Sequence, residues 1–199
     1  VFVEKGGEII PKIVGIDNTK REPGSQKIEY LKNCPECGTP LIRSEDEAVH
    51  YCLNEDGCPT QMKGKIAHFA SRKAMDIDSL GEETVGLLYE NGLIKNIADI
   101  YELKKEPLLK LERMAERSAQ NLINGIEGSK KIPFERVLFA LGIRHVGETV
   151  AKKLAMYFKN MDAIMNASEM ELAEVGEIGE IIAKSVAEYF KKEKHTLII

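Results

Sequence analysis

No apolar run in the chain approaches membrane-spanning length and no segment of it reads as a signal peptide, so neither a membrane-spanning nor a secreted reading is favoured. An excess of positive charge is also missing: 28 Lys and Arg stand against 32 Asp and Glu, a formal net charge of -4. Nucleic-acid-binding domains are usually basic, so the total argues mildly against such a partner. There is no catalytic constellation. The four histidines (His50, His68, His145, His195) are scattered, and no Gly-rich loop leads from a strand into a helix as a nucleotide-binding fingerprint requires. What remains is ordinary for a folded protein: 43% hydrophobic and 30% charged residues over 199 positions. That is enough for one usual domain or a few small ones, and it is not the composition of a disordered chain. The chain opens Val1-Phe2-Val3 without a Met, in what reads as mid-strand, and is expected to be cut from a longer protein.

The charge is unevenly spread. Residues 60–73 carry Lys63, Lys65, Arg72 and Lys73 and no acid. Residues 130–160 carry seven basic residues, among them Arg136, Arg144, Lys152 and Lys153, against Glu135 and Glu148. Residues 161–190 reverse the sign, with Lys184 alone against seven acids. Screening limits each charge to roughly 8–10 Å, so a globally acidic chain can still bind phosphate at two basic islands. Ordinary solvated faces would look the same, and charge alone leaves that reading ahead. The acidic run 169–180 is read as the solvated face of a helix pair.

Residues 1–16 hold two β-branched runs on either side of Gly6-Gly7, a hairpin signal, with Pro11 marking an edge strand or a bulge. Two strands do not make a stable sheet alone, so these are read as the end of a larger β domain. A polar stretch at 17–33 with Pro23-Gly24 reads as linker. Helical periodicity takes over from about residue 60.

All four cysteines lie in one window, spaced Cys34-x2-Cys37-x14-Cys52-x5-Cys58. Two thiolates on a tight turn can face one ion, and a second pair completes the tetrahedron that Zn²⁺ prefers. A disulfide pair would need an oxidising compartment, and a redox Cys-x-x-Cys would leave the second pair unexplained. His50 is a spare candidate, but four sulfurs already fill the shell. A closed shell holds a fold and does no catalysis.

The second half repeats itself. Ser79-Leu80-Gly81-Glu82-Glu83-Thr84-Val85 recurs as Arg113-Met114-Ala115-Glu116-Arg117-Ser118-Ala119, as His145-Val146-Gly147-Glu148-Thr149-Val150-Ala151 and as Glu177-Ile178-Gly179-Glu180-Ile181-Ile182-Ala183. Positions 81, 115, 147 and 179 are 34, 32 and 32 residues apart. A protein-binding helical solenoid would also repeat with such a period. A glycine turn running straight into a helix favours helix-hairpin-helix units, whose exposed N-terminal N–H groups suit a phosphate oxygen. Gly is expected there because a Cβ would block close approach, and the small residue at Val85, Ala119, Ala151 or Ala183 lets two helices pack closely. Such contacts carry no base sequence information.

Taken in order, these motifs resemble the bacterial NAD-dependent DNA ligases over nearly the whole chain. Lys5-Gly6-Gly7-Glu8-Ile9-Ile10-Pro11 is similar to the end of that family's oligonucleotide-binding (OB) barrel. The cysteine spacing is similar to its zinc finger, and His68-Phe69-Ala70-Ser71-Arg72-Lys73-Ala74-Met75-Asp76-Ile77 to the segment leading into its four hairpins. Gly142-Ile143-Arg144-His145-Val146-Gly147-Glu148 matches the third hairpin. The resemblance implies a parent enzyme in which NAD⁺ adenylates a Lys, AMP passes to the 5′-phosphate of a nick and the 3′-hydroxyl displaces it with Mg²⁺ assisting. The Lys-x-Asp-Gly motif that carries this nucleophile is absent from the chain. So are the family's NAD-gripping N-terminal domain and its BRCT domain, so NAD and Mg belong outside these residues. Ser79, Arg113 and Ala115 depart from the family's glycines, and Arg113 with Arg117 could replace backbone donation by side chain.

The expected architecture is multi-domain and mainly α. It comprises an OB-barrel end and linker (1–30), a small four-cysteine zinc finger (31–60) and four helix-hairpin-helix repeats (61–199). Expected metal ligands are Cys34, Cys37, Cys52 and Cys58. Expected DNA contacts are Gly81, Arg113, Arg117, Arg144, Gly147, Lys152, Lys153 and Gly179. The partner is double-stranded and nicked DNA, bound by a monomer in the bacterial cytoplasm during replication and repair. The competing readings are a module of another repair or recombination factor and a protein-interaction repeat.

Overall fold

The first sixteen residues alternate too little to bury one face, and the fold reflects this. In the structure, a computed structural model that describes residues 1–7, 9–43 and 48–197, β1 (Phe2–Gly6) pairs antiparallel with β2 (Ile10–Gly15). Val3 faces Ile13 and Lys5 faces Pro11 across the ladder, with a register shift beside Phe2. Gly7 takes the left-handed conformation at the turn, φ +65°; Glu8, part of the Lys5–Pro11 motif, lies outside the described residues. Val3, Ile10, Ile13 and Val14 all remain exposed. The hairpin thus contributes nothing to a core.

The finger that follows has two strands of two residues, β3 (Leu41–Ile42) and β4 (Tyr51–Cys52), in antiparallel register. Residues 44–47 of its connecting loop lie outside the described set, as do 198 and 199 at the end of the hairpin region. Between residues 31 and 58 only Cys34 and Cys58 are buried among the described residues. The finger therefore has no apolar core of its own among the described residues. Its four sulfurs stand in the place of one.

Beyond the finger the chain is helical: α1 (Pro59–Ala70), α2 (Glu82–Glu90), α3 (Lys105–Leu108), α4 (Glu116–Ser129), α5 (Phe134–Ala140), α6 (Glu148–Phe158), α7 (Met161–Met165), α8 (Glu169–Ala173), α9 (Glu180–Lys191) and α10 (Glu193–Thr196). No described helix is long and apolar enough to cross a membrane. The hairpins are α1–α2, α3–α4, α5–α6 and α8–α9. Their second helices bury equivalent side chains: Val85, Ala119, Ala151 and Ala183 are each 0% exposed. One turn on, Leu88, Leu122, Leu154 and Val186 are buried too, which keeps the apolar stripe on one face.

The four hairpins do not share one core. Ile66, Val85, Leu88, Ile94, Ile100 and Leu122 belong to a cluster that serves the first two. Leu138, Ile143, Leu154, Leu172, Val186 and Phe190 belong to a second cluster under the last two. The helical region is therefore two hairpin pairs in tandem, joined by the short stretch 130–133. Leu154→Ala should cost about 2–5 kcal/mol as a cavity in the second core. Native-state hydrogen exchange should show faster opening of α5–α9 while α1–α4 keep their protection. Equal loosening of both pairs would mean that they form one cooperative unit.

Candidate metal centre and nucleic-acid interface

The first zinc knuckle is a tight turn. The Gly38 N–H donates to the Cys34 carbonyl at 2.9 Å and the Cys34 N–H to the Thr39 carbonyl at 2.8 Å, with Gly38 left-handed at φ +70°. The second knuckle ends at Cys58, the N-cap of α1 with Pro59 at the first helical position. The Cys58 N–H bonds the Asn54 carbonyl at 3.0 Å, and the Gln61 amide holds the Cys52 carbonyl at 2.9 Å. These turns bring the four sulfurs within 4.8 Å of one another. Cys34 and Cys58 are 4.0 Å apart and Cys37 and Cys52 3.5 Å.

A tetrahedral zinc with bonds of about 2.3 Å has sulfur–sulfur edges of about 3.8 Å, so the donor set fits the ion. The protein alone does not favour ionising Cys37 and Cys52 together. The Thr39 hydroxyl and backbone hold the Cys37 thiol down at about 6. At Cys52 the Asn54 backbone N–H pulls downward, but burial and the neighbouring Cys37 and Cys34 outweigh it and push the thiol up to about 11. Only a cation at the centre lets both ionise together. His50 is no part of this cluster; its ring stacks on Tyr30 at 4.9 Å between centroids.

The hairpin tips are built alike. In each, a residue two before the helix N-cap adopts a left-handed backbone although it is not glycine: Ser79, Arg113, His145 and Glu177, with φ of 65°, 63°, 67° and 66°. The next residue turns inward, with Leu80, Val146 and Ile178 buried and Met114 partly so. Its N–H bonds back to the carbonyl of Ile77, Leu111, Ile143 or Val175 at 3.0–3.3 Å. Then come the N-caps Gly81, Ala115, Gly147 and Gly179, all exposed and all extended, with φ between -77° and -83°.

Glycine at the N-cap is therefore not demanded by the turn, which corrects the expectation from sequence that the Gly makes the turn. A Cβ added at Gly81, Gly147 or Gly179 would meet no protein atom within 4 Å. The space that these glycines keep open lies outside the protein. None of the four helices has a side-chain cap, so first-turn N–H groups face outward with the positive end of the helix dipole.

The charged side chains divide sharply. Arg113, Arg117, Arg144 and Lys152 are exposed. Lys153 differs: it forms an ion pair with Glu177 of the fourth hairpin, whose carboxyl it holds below the usual range by hydrogen bond and charge. Lys152 and Lys153 thus face different surroundings, although the sequence grouped them. In the first turns, Glu116 pairs with Lys105 and Glu148 with Lys73 at 2.8 Å.

Two groupings were missed from sequence. The two basic islands meet in space, since Arg136 donates to the Arg72 and Lys73 carbonyls at 2.5 and 3.2 Å; nothing local in the sequence marks that contact. The finger also touches the C-terminal segment. Glu55 binds Lys192 at 3.0 Å, and Asp56 lies 3.7 Å from the buried His195, which stacks on Tyr189.

Two outcomes are expected. Cys52→Ser should abolish stoichiometric zinc in elemental analysis and unfold the finger. Helical circular dichroism should fall by no more than the first turn of α1, because both hairpin cores lie elsewhere. A global loss of helix would show that the metal holds the hairpins together. Arg113→Gly should raise stability by about 0.5–1 kcal/mol by relieving the left-handed strain. If that strain is kept for a contact, the same variant should bind duplex DNA less tightly. A stabilised variant with unchanged binding would leave Arg113 without a contact role.

Comparison with known proteins agrees with this geometry segment by segment. Residues 33–59 match the NAD-dependent DNA ligase C4 zinc finger domain. Residues 71–127 match a SAM-like helix-hairpin-helix tandem, and 136–199 match a helix-hairpin-helix motif. The DNA ligase of Christiangramia forsetii is 66% identical over 177 residues, 89% of this chain and 27% of that protein. The DNA ligase of Flavobacterium johnsoniae is 61% identical over 199 residues, all of this chain and 30% of that protein. The chain thus spans less than a third of the length of the curated relatives it matches. It belongs to the NAD-dependent DNA ligase family, of which it carries the zinc-finger and helix-hairpin-helix portion.

Proposed function

We propose that this chain holds duplex DNA, without reading its sequence, for a ligase that seals nicks. The carrying observation is the four equivalent tips with outward, uncapped helix N-termini, three of them ending in a glycine whose missing side chain faces open space. Backbone N–H groups at such a tip receive phosphate oxygens, and nearby cations supply the long-range attraction. The zinc finger fixes the start of α1, and the β1–β2 hairpin is the end of an OB barrel. NAD⁺ and Mg²⁺ act elsewhere in the parent enzyme, which works as a monomer on nicked duplexes in the bacterial cytoplasm.

The tips are unequal. The third combines Gly147 with the exposed cations Arg144 and Lys152. The fourth has Gly179, but Glu177 and Glu180 flank it and Ile181 beside them is 71% exposed, so a phosphate there meets carboxylates and an apolar side chain. Its role is chiefly to pack against the third, with Glu177 neutralising Lys153. The first has Gly81 followed by Glu82 and Glu83, and the second has Arg113 and Arg117 around Ala115.

Fluorescence anisotropy with intact and nicked duplexes over a range of salt tests this reading. The chain should bind both, more weakly as salt rises. Lys152→Glu should weaken binding far more than Lys184→Glu and flatten the salt dependence by about one counterion. Salt-independent or absent duplex binding would favour a protein-interaction repeat instead. Incubation with NAD⁺ should leave the mass of the chain unchanged, since it holds no Lys-x-Asp-Gly nucleophile; a gain of one AMP on any Lys would refute that.

A further inference from the structure

The two hairpin pairs are built on two clusters that meet at α5, where Ala140 is buried in the first and Phe139 packs against both, and one seam of polar contacts joins them. On one side lie the end of α1 and the loop after it; on the other lie α5 and the start of α6. His68 Nε2 sits 3.0 Å from the Phe139 carbonyl oxygen, and the two rings meet edge to face at 4.9 Å. The loop is a closed knot of backbone bonds: Ala74 and Asp76 both donate to the Ser71 carbonyl at 2.9 Å, and Met75 donates to Phe69 at 3.0 Å. Into this loop reaches Arg136 of α5. Its Nε donates to the Lys73 carbonyl at 3.2 Å and its Nη2 to the Arg72 carbonyl at 2.5 Å, across 63 and 64 residues of sequence. Lys73 then extends its ammonium to Glu148, the first residue of α6, 2.8 Å away.

This arrangement is electrostatically odd. It brings Arg136 against the backbone of two other cations, Arg72 and Lys73, with Glu148 as the acid that Lys73 pairs with. The side chains of Arg72 and Lys73 are exposed while their carbonyls are held. A planar guanidinium can serve two carbonyls at once in a fixed fork, which a lysine ammonium on a flexible stem cannot reproduce. The chain between the pairs is only residues 130–133. Ala140 of α5 is buried in the first pair's cluster with Val137 and Phe139 against it, and the fork is the polar contact that fixes how the pairs are oriented about that packing.

We infer that Arg136 is a positioning residue. It touches no phosphate itself; it locks the first hairpin pair to the second so that the tips of both engage one duplex together. The inference rests on the duplex-binding reading. Two linked sites gain affinity from each other only when both can be engaged at once, so releasing their orientation lowers the joint affinity and leaves each site intact.

The test uses the whole chain with Arg136→Ala and Arg136→Lys. The first readout needs no DNA: residual dipolar couplings from backbone amides. In the unsubstituted chain one alignment tensor should fit α1–α4 and α5–α9 together. In Arg136→Ala two tensors should be needed, each pair keeping its own internal fit. The second readout is affinity for duplexes of about one and about two helical turns (about 10 and 20 base pairs). Arg136→Ala should lose about tenfold on the longer duplex and little on the shorter, with the same slope against salt, and Arg136→Lys should not restore it. Equal losses on both lengths, with a slope reduced by about one and rescued by Lys, would make Arg136 a direct phosphate contact and overturn the inference. A single tensor in both variants would overturn it as well. If Arg136→Ala does not fold, the Lys variant, which keeps the charge and loses the fork, carries both readouts. Should the unsubstituted chain fail to bind any duplex, the DNA reading falls, while the tensors still decide whether Arg136 joins the pairs.

Discussion

Close packing of a second helix against the first, at a position too crowded for a large side chain, governs the hairpins. Val85, Ala119, Ala151 and Ala183 are fully buried, and each donates its N–H to the N-cap carbonyl at 2.9–3.1 Å. With that contact set, the tip has little freedom. The chain must reverse within a few residues and bury Leu80, Met114, Val146 or Ile178. It then enters the next helix from an extended N-cap. The reversal costs a left-handed residue, and the chain accepts it at Ser79, Arg113, His145 and Glu177 without using glycine. Strain repeated at four equivalent points is a property of the motif, not a local accident.

The finger solves a different problem by different means. Its strands are two residues long, and among its described residues only two of its cysteines are buried. A segment this small cannot offset its chain entropy by apolar burial. Four sulfurs gathered within 4.8 Å supply the missing energy once an ion joins them. Because Cys58 is also the cap of α1, the metal sets where the helical region begins. Contacts from Glu55 and Asp56 to Lys192 and His195 tie the finger to the far end of the chain as well.

Much of this was legible in the sequence because it is carried by local spacing. Cys-x2-Cys and Cys-x5-Cys state their own turns, and a period of 32–34 residues states the hairpins. The buried small residue of each repeat was also readable. Other features were not. The left-handed residue escaped notice because the eye goes to glycine, and here glycine occupies the extended N-cap. Lys152 and Lys153 look equivalent in sequence, but adjacent positions on a helix point about 100° apart, and only Lys153 reaches Glu177. Arg136 gave no local signal, since its partners lie 63 and 64 residues away. Net charge misled in the same way: -4 is an average over faces of opposite sign.

The central claim is that outward helix N-termini at the hairpin tips receive phosphate. Amide chemical-shift mapping of the chain titrated with a duplex addresses it atom by atom. The account predicts the largest shifts at the first-turn amides of α6 (148–150), with clear shifts at α2 (82–84) and smaller ones at α9 (180–182). All should collapse together as salt rises. Shifts confined to the finger or to the outer flanks of the helices, with the first-turn amides unmoved, would contradict it.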